Sequence, residues 1–125
     1  MANARTTRRA VLRFALRLPE AYEDHPWGES VAKVNKKVFV FLGGGEDPER
    51  LGMSVKLGDS REQALGVPGA YPTRYGLGRG GWVTVPFQEA SPPLEVLTDW
   101  VEESYRLVAP KVLVAALDAK AGRAR

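Results

Sequence analysis

The sequence predicts an α+β fold, in which an antiparallel sheet of about four to five strands carries N- and C-terminal helices on one face. Apolar residues recur at helical spacing near both ends of the chain, and they alternate with polar residues at 51–57. Glycine, proline and asparagine separate these segments. At 125 residues the chain is long enough for one core, so we place a single domain at residues 1–119 and a basic, disordered tail at 120–125.

The N-terminal segment predicts an amphipathic helix. Thr6 or Thr7 can cap a helix that ends at about Leu18, before Pro19. Three of its arginines follow one another at i, i+4 spacing: Arg9, Arg13 and Arg17. They form either a solvated face of the helix or a stripe that contacts phosphate. The Arg-Arg pair near its start resembles a twin-arginine export signal, but the apolar run that should follow is interrupted. We therefore expect a cytoplasmic protein.

A β-hairpin is predicted next, after a loop at 20–29. Strands at 30–34 and 37–42 flank Asn35-Lys36, a candidate two-residue turn. Asparagine tolerates the positive φ that such a turn requires, whereas Lys36 stands where glycine is preferred. Because residues 38–42 are all apolar, we expect the second strand to be central in the sheet.

The second half of the chain predicts two further strands and a long C-terminal helix. The alternation at 51–57 indicates a half-buried strand, and 82–87 a last strand. A short helix follows the first of these strands, and residues 67–79 are irregular. A Ser-Pro-Pro stretch at 91–93 is typical of a helix start, and Pro110 interrupts the helix that follows.

Basic residues are concentrated at the two ends of the chain. Eight of the 18 lysines and arginines lie within residues 1–19 or 120–125. The ten that remain stand against all 15 acidic residues between 20 and 119, a net charge of −5. The formal charge of +3 is therefore terminal, and it supports nucleic-acid binding less strongly than a basic fold surface would.

Residues that could carry catalysis or hold a cofactor are sparse. The chain has no cysteine and one histidine, His25, so a serine hydrolase would depend on that histidine as its base. The pattern G-x-G-x-x-G-x-V at 76–83 precedes a predicted strand, whereas a dinucleotide loop follows a strand and opens a helix. No apolar stretch approaches the length of a membrane span. We expect a monomeric, non-enzymatic protein with no metal, no cofactor and no membrane association.

Two basic turns form the most coherent candidate site. Lys36 and Lys37 lie at the tip of the predicted hairpin, and Arg74 and Arg79 lie in the glycine-rich loop. Two projecting basic tips on one sheet could straddle the phosphate backbone of a DNA duplex. With the first helix, the candidate nucleic-acid-binding residues are Arg9, Arg13, Lys36, Lys37, Arg74 and Arg79.

The alternative is a module that binds a small molecule or a protein partner. Aromatic side chains and glycines are concentrated around the predicted loops, as is common in ligand clefts. The residues of this alternative cleft are Trp27, Tyr71, Tyr75 and Trp82.

Six short segments, in order, resemble the MmcQ/YjbR-like family. They are Leu18-Pro19-Glu20-Ala21, Pro26-Trp27-Gly28, the run from Lys33 to Phe39, the run from Met53 to Leu57, the run from Gly80 to Val85, and the run from Glu103 to Val108. The resemblance extends over about residues 8 to 108. It implies a frataxin-like α+β fold with a double-wing arrangement, and a role in DNA binding.

The resemblance also implies where the two wings lie. By position they are the hairpin at 35–37 and the segment at 74–81, the same two turns that the charges indicate. The second wing departs from the family pattern, because glycines fill it where the family has mostly polar and basic residues. For this chain, DNA contact through that wing is therefore an expectation that depends on Arg74 and Arg79.

Overall fold

The computed structural model describes residues 3–26, 29–43 and 51–123, with side chains up to residue 120. Six strands form one antiparallel sheet in the order β1-β2-β3-β4-β6-β5: β1 (Tyr22–Asp24), β2 (Ser30–Val34), β3 (Lys37–Leu42), β4 (Gly52–Lys56), β5 (Tyr71–Pro72) and β6 (Trp82–Pro86). Four helices accompany it: α1 (Ala4–Leu16), α2 (Arg61–Leu65), α3 (Leu94–Val108) and α4 (Lys111–Arg123). The predicted α+β class, with terminal helices on an antiparallel sheet, is confirmed.

The sheet has six strands, so the predicted count of four to five was too low. β1 lies in the expected loop at 20–29, and β5 lies in the expected irregular stretch at 67–79. Both are edge strands of three residues or fewer, which is too short to show the period-two alternation of a strand. Each acquires its conformation from the hydrogen bonds of its neighbour, β2 or β6.

Two helix boundaries also differ from expectation. Asn3 caps α1, because its side-chain oxygen accepts a hydrogen bond from the Thr6 amide at 2.8 Å. Thr6 and Thr7 are therefore inside the helix instead of capping it. At the other end of the chain, α4 continues to Arg123, past the Ala119 at which we expected the helix to give way to a tail.

The hydrophobic core lies between the sheet and the helix pair α1 and α3. Trp100 and Val101 of α3 are buried in it, and Tyr105 packs its ring edge-on against Phe39 with 5.3 Å between centroids. The Tyr105 hydroxyl donates to the Pro19 carbonyl at 2.7 Å. Burial, with the nearby Glu20 carboxylate, raises the pKa of Tyr105, so this hydroxyl stays protonated and remains a donor.

A β-bulge in β3 is stabilised by one buried hydroxyl of α3. Ala32 pairs with Val40 and Lys33 pairs with Val38, so Phe39 is the additional residue. The fully buried Ser104 hydroxyl donates to the Phe39 carbonyl and accepts from the Lys56 amide at 2.9 Å. It thereby joins β3 and β4 where their direct pairing has ended.

We expect Ser104→Ala to lower the free energy of unfolding by about 1–3 kcal/mol, because it leaves the Lys56 amide and the Phe39 carbonyl buried without this partner. Thr98→Ala on the same helix is the matched control. Its hydroxyl bonds only to the Glu95 carbonyl within α3, so its effect should stay within about 0.5 kcal/mol. Urea unfolding followed by circular dichroism measures both, and equal effects would contradict the bridging role of Ser104.

Candidate nucleic-acid interface

The two predicted basic turns lie at the same end of the sheet. We name Asn35–Lys37 the hairpin tip and residues 74–81 the glycine tip. β4 is antiparallel to both β3 and β6, and Lys56 at its end lies opposite Trp82 at the start of β6. The first residues of β3 and the first residues of β6 therefore both lie beside the end of β4. In the strand order the two tips are three strand spacings apart, about 14 Å.

The hairpin tip has a two-residue turn with both residues left-handed. Asn35 has a φ of 50° and Lys36 a φ of 67°, so the predicted turn at these residues is confirmed. A lysine in this conformation is strained, at a cost of the order of 1–3 kcal/mol, where glycine would be nearly free of strain. Lys36 and Lys37 are both exposed, so the strained position presents a cation to solvent.

The glycines of the glycine tip hold the loop against the sheet. A Cβ at Gly78 would lie 2.8 Å from the Pro72 Cβ, and one at Gly81 would lie 2.6 Å from the Leu57 carbonyl oxygen. Gly81 also has a φ of 96°. Its carbonyl accepts from the Leu57 amide at 2.9 Å, which closes the loop on the end of β4. Close packing of backbone on backbone therefore accounts for these two glycines.

Four side chains of the glycine tip are exposed: Arg74, Tyr75, Leu77 and Arg79. The guanidinium carbon of Arg74 lies 5.3 Å from the centre of the Tyr71 ring, within cation–π range. Arg79 is exposed in the short 3₁₀ turn at Leu77–Gly80. Tyr75 is 99% exposed and left-handed, with a φ of 61°. The loop thus presents an unburied aromatic ring beside two cations.

Half of the twelve acidic side chains in the described residues lie on helices. On the helices of the described chain they are Glu62, Glu95, Asp99, Glu102, Glu103 and Asp118. The side of the sheet opposite α1 and α3, which we name the open face, has one acid at the described strand positions, Asp24. Its carboxylate accepts from Lys33 at 2.8 Å, and this hydrogen bond, with that of the His25 amide, lowers the pKa of Asp24. The helical acids therefore lie on the side of the sheet opposite the open face, whereas the exposed Asp59 follows β4 at the tip end and Glu103 is bonded to Gly58 and Ser60 in the same turn.

The structure does not bring the helix arginines together with the tips. Arg8 donates to the Leu42 carbonyl at 3.4 Å, and Leu42 is at the end of β3 that lies away from the hairpin tip. Arg9 follows it on α1 and is exposed. Arg13 lines a groove of about 260 Å³ between α1 and the first turns of α3. Arg9 and Arg13 thus belong to the helical side of the molecule, whereas Lys36, Lys37, Arg74 and Arg79 belong to the sheet end.

The three described aromatic residues of the alternative cleft do not all lie on one surface. Trp27 lies outside the described residues. Tyr71 and Trp82 are on the open face, whereas Tyr75 projects from the glycine tip into solvent. Phe41, from the apolar run at 38–42, packs edge-on against Trp82 with 5.3 Å between ring centroids. Its half-exposed position could not be predicted from a continuous apolar run.

The polar residues considered for catalysis have other partners. His25 lies 3.0 Å from the Glu23 carboxylate. Four serine hydroxyls bond to groups other than histidine: Ser54 to Thr84, Ser60 to Glu103, Ser91 to Pro86, and Ser104 to Phe39. Within residues 3–26, 29–43 and 51–123, no three His, Cys, Asp or Glu side chains are grouped so that they could hold a metal ion. No helix among these residues is long and apolar enough to cross a bilayer.

We expect Gly81→Ala to destabilise the protein by at least about 1 kcal/mol more than Gly76→Ala. Both positions have positive φ, 96° and 80°, so both substitutions introduce left-handed strain. Only at Gly81 would the new methyl group also collide with the Leu57 carbonyl, since nothing lies within 4 Å at Gly76. Thermal and urea unfolding of the two variants measure the difference, and equal destabilisation would show that the glycine tip does not pack as described.

Comparison with known proteins gives one assignment. No curated protein matches the chain. The sequence profile of the YjbR family matches residues 16–107, well over half of the 125 residues and all six strands of the sheet. The match agrees with the ordered segments that resemble this family, from the residues after α1 to the last turn of α3. The chain belongs to the YjbR family.

Proposed function

We propose that this YjbR-family protein binds duplex DNA without catalysing a reaction, as a cytoplasmic monomer that contacts the phosphate backbone through its two tips. The observation that carries the proposal is the placement of Lys36, Lys37, Arg74 and Arg79 on two turns at one end of the sheet. Phosphate contacts supply most of the affinity of sequence-independent DNA binding. Two cationic tips about 14 Å apart suit contacts to separate phosphates on one duplex.

The charge distribution supports this proposal more strongly than the net charge does. The central part of the chain has an acidic balance, and its helical acids lie on the side of the sheet that α1 and α3 cover, with Glu103 bonded to Gly58 and Ser60 at the tip end. At the tip end of the sheet the four cations of the tips outnumber the exposed Asp59, which follows β4, so long-range attraction favours the approach of a duplex from that end.

The strain at the hairpin tip is a second support. A two-residue turn of this type is most stable with glycine at the second position. Lysine at position 36 costs stability and adds a charge at the outermost point of the hairpin. A local cost that places a functional group is a recognised property of binding sites.

The alternative, a small-molecule or protein-partner module at Trp27, Tyr71, Tyr75 and Trp82, has less support. Among the described members, Tyr75 is separated from the other two by its outward projection from the tip. The described grooves instead lie beside α1 and the start of α3. A thermal-shift screen with nucleotides and metabolites addresses this alternative, because a bound ligand raises the melting temperature.

Labelled duplex DNA should bind with an affinity that falls steeply with salt, because each neutralised phosphate releases counterions. Replacing Lys36 and Lys37 by glutamine should reduce the slope of log K against log salt by about two, at about 0.9 per contact. Fluorescence anisotropy at several salt concentrations measures this slope.

A matched double variant tests whether the loss of any two positive charges lowers the salt slope, or only a loss at the hairpin tip. Lys111→Gln with Lys120→Gln removes two exposed charges from α4, on the helical side, and should leave the slope unchanged. If duplex does not bind at about 50 mM salt, or binds with an affinity indifferent to salt, the proposed function is wrong.

Lys36→Gly should separate stability from binding. It relieves the left-handed strain, and after the extra entropy of glycine in the unfolded chain we expect a gain of about 1 kcal/mol in the free energy of unfolding. The same variant should weaken duplex binding, because it removes a phosphate contact. Paired urea unfolding and anisotropy measurements test both effects; a variant that is more stable and binds equally well would remove Lys36 from the interface.

A further inference from the structure

The open face of the sheet presents one row of side chains across all six strands. Directly paired residues of antiparallel strands point to the same face. From β1 to β5 across the sheet, the register gives the side chains of this row in the following order: Asp24, Val31, Phe41, Ser54, Thr84 and Tyr71. α1 and α3 pack on the opposite face. Because Val31 is buried, the accessible part of the row extends from β3 to β5.

Aromatic rings lie at both sides of this accessible part. Phe41 and Trp82 meet edge to face at 5.3 Å, and both are partly exposed. Tyr71, on β5, is 40% exposed. Phe41 and Tyr71 are on strands three spacings apart, about 14 Å. The face therefore has two aromatic platforms with a strip of sheet between them.

Hydroxyl groups occupy the strip between the two platforms. Ser54 and Thr84 are 2.7 Å apart, and Thr84 is 3.0 Å from Thr73. A hydroxyl can donate one hydrogen bond and accept two, so this chain retains capacity for a further partner. Such groups suit the polar edges of a ring that stacks beside them.

The charges of the open face complement a polyanion. Lys56 lies opposite Trp82 in the β4–β6 register, and Arg74 lies over Tyr71. The one acid at the described strand positions of this face, Asp24, is paired with Lys33 at 2.8 Å. Each aromatic platform therefore has a cation beside it.

We infer that the open face binds a single-stranded nucleic acid, with bases stacked on Phe41, Trp82 and Tyr71 and phosphates held by Lys56 and Arg74. Aromatic platforms combined with cations are the general means of binding single strands, since every base has a π-face. A duplex keeps its base faces stacked within itself, so these platforms select the single strand. The inference rests on the proposed nucleic-acid binding, but it assigns a second surface with a different strand preference.

Labelled oligo-dT and oligo-rU of about ten nucleotides test the inference, with fluorescence anisotropy at about 50 mM salt. Tyr71→Ala and Trp82→Leu should each weaken binding of at least one oligomer roughly 5- to 100-fold, the range for loss of one stacked base. Leu107→Ala, which shortens an exposed side chain of α3 on the helical side, is the control and should leave binding unchanged. The two oligomers distinguish DNA from RNA as the source of the strand.

Circular dichroism and unfolding midpoints of each variant show whether it folds, and the conservative Trp82→Phe keeps a ring in place. We expect Trp82→Phe to retain most of the affinity that Trp82→Leu loses. If the two variants lose affinity equally while both fold, stacking is not the mechanism, and the inference is wrong.

The hairpin-tip double variant, Lys36→Gln with Lys37→Gln, separates this inference from the proposed function. It should weaken duplex binding and leave oligo-dT or oligo-rU affinity within about twofold. If neither oligomer binds, or if Tyr71→Ala weakens the binding of duplex and single strand equally, the open face is not a single-strand site. Either result leaves the proposed binding of duplex through the two tips intact. If Tyr71→Ala instead changes the sedimentation of the protein alone, the face is a contact between copies of this chain.

Discussion

The stretch Glu103-Ser104-Tyr105 of α3 is the constraint on which the arrangement of the tip end depends. The Ser104 hydroxyl joins β3 to β4 beside the bulge, and the Tyr105 hydroxyl holds the segment after α1 through the Pro19 carbonyl. The Glu103 carboxylate accepts from the amides of Gly58 and Ser60, at 2.8 and 3.2 Å, and from the Ser60 hydroxyl at 2.7 Å. Three consecutive residues of α3 thus attach three parts of the fold to this helix: Ser104 attaches the sheet, Glu103 the turn before α2, and Tyr105 the segment after α1.

This constraint has a consequence for charge. Because α1 and α3 cover one face of the sheet, the alternation of each strand sends its polar residues to the other face. The acids of the helices then lie on the side of α1 and α3, whereas Lys56 of β4 lies on the open face and the cations of the tips lie at one end of the sheet. A chain whose central part has a net charge of −5 can therefore present a basic surface. Local charge and total charge are separate quantities, and a polyanion responds to the local one.

The two tips achieve exposure in different ways. The hairpin tip holds Lys36 in a left-handed conformation at a cost in stability. In the glycine tip, the missing side chains of Gly78 and Gly81 allow the loop to lie against Pro72 and Leu57, and Tyr75 is left-handed with a φ of 61°. Packing thus requires glycine at positions 78 and 81. Arg74 and Arg79 are exposed on the loop that these two glycines hold against the sheet.

The sequence by itself determined the two-layer α+β class, the hairpin turn with Lys36 at its tip and the family, because periodicity, turn chemistry and ordered short segments are local properties. Only the tertiary structure decided what depends on pairing between distant segments. Edge strands β1 and β5 are too short to carry a local signal, and strand order placed the two tips at one end. Helix packing carried Arg9 and Arg13 away from them, and cross-strand register assembled the open face from Phe41, Lys56 and Tyr71, which lie far apart along the chain.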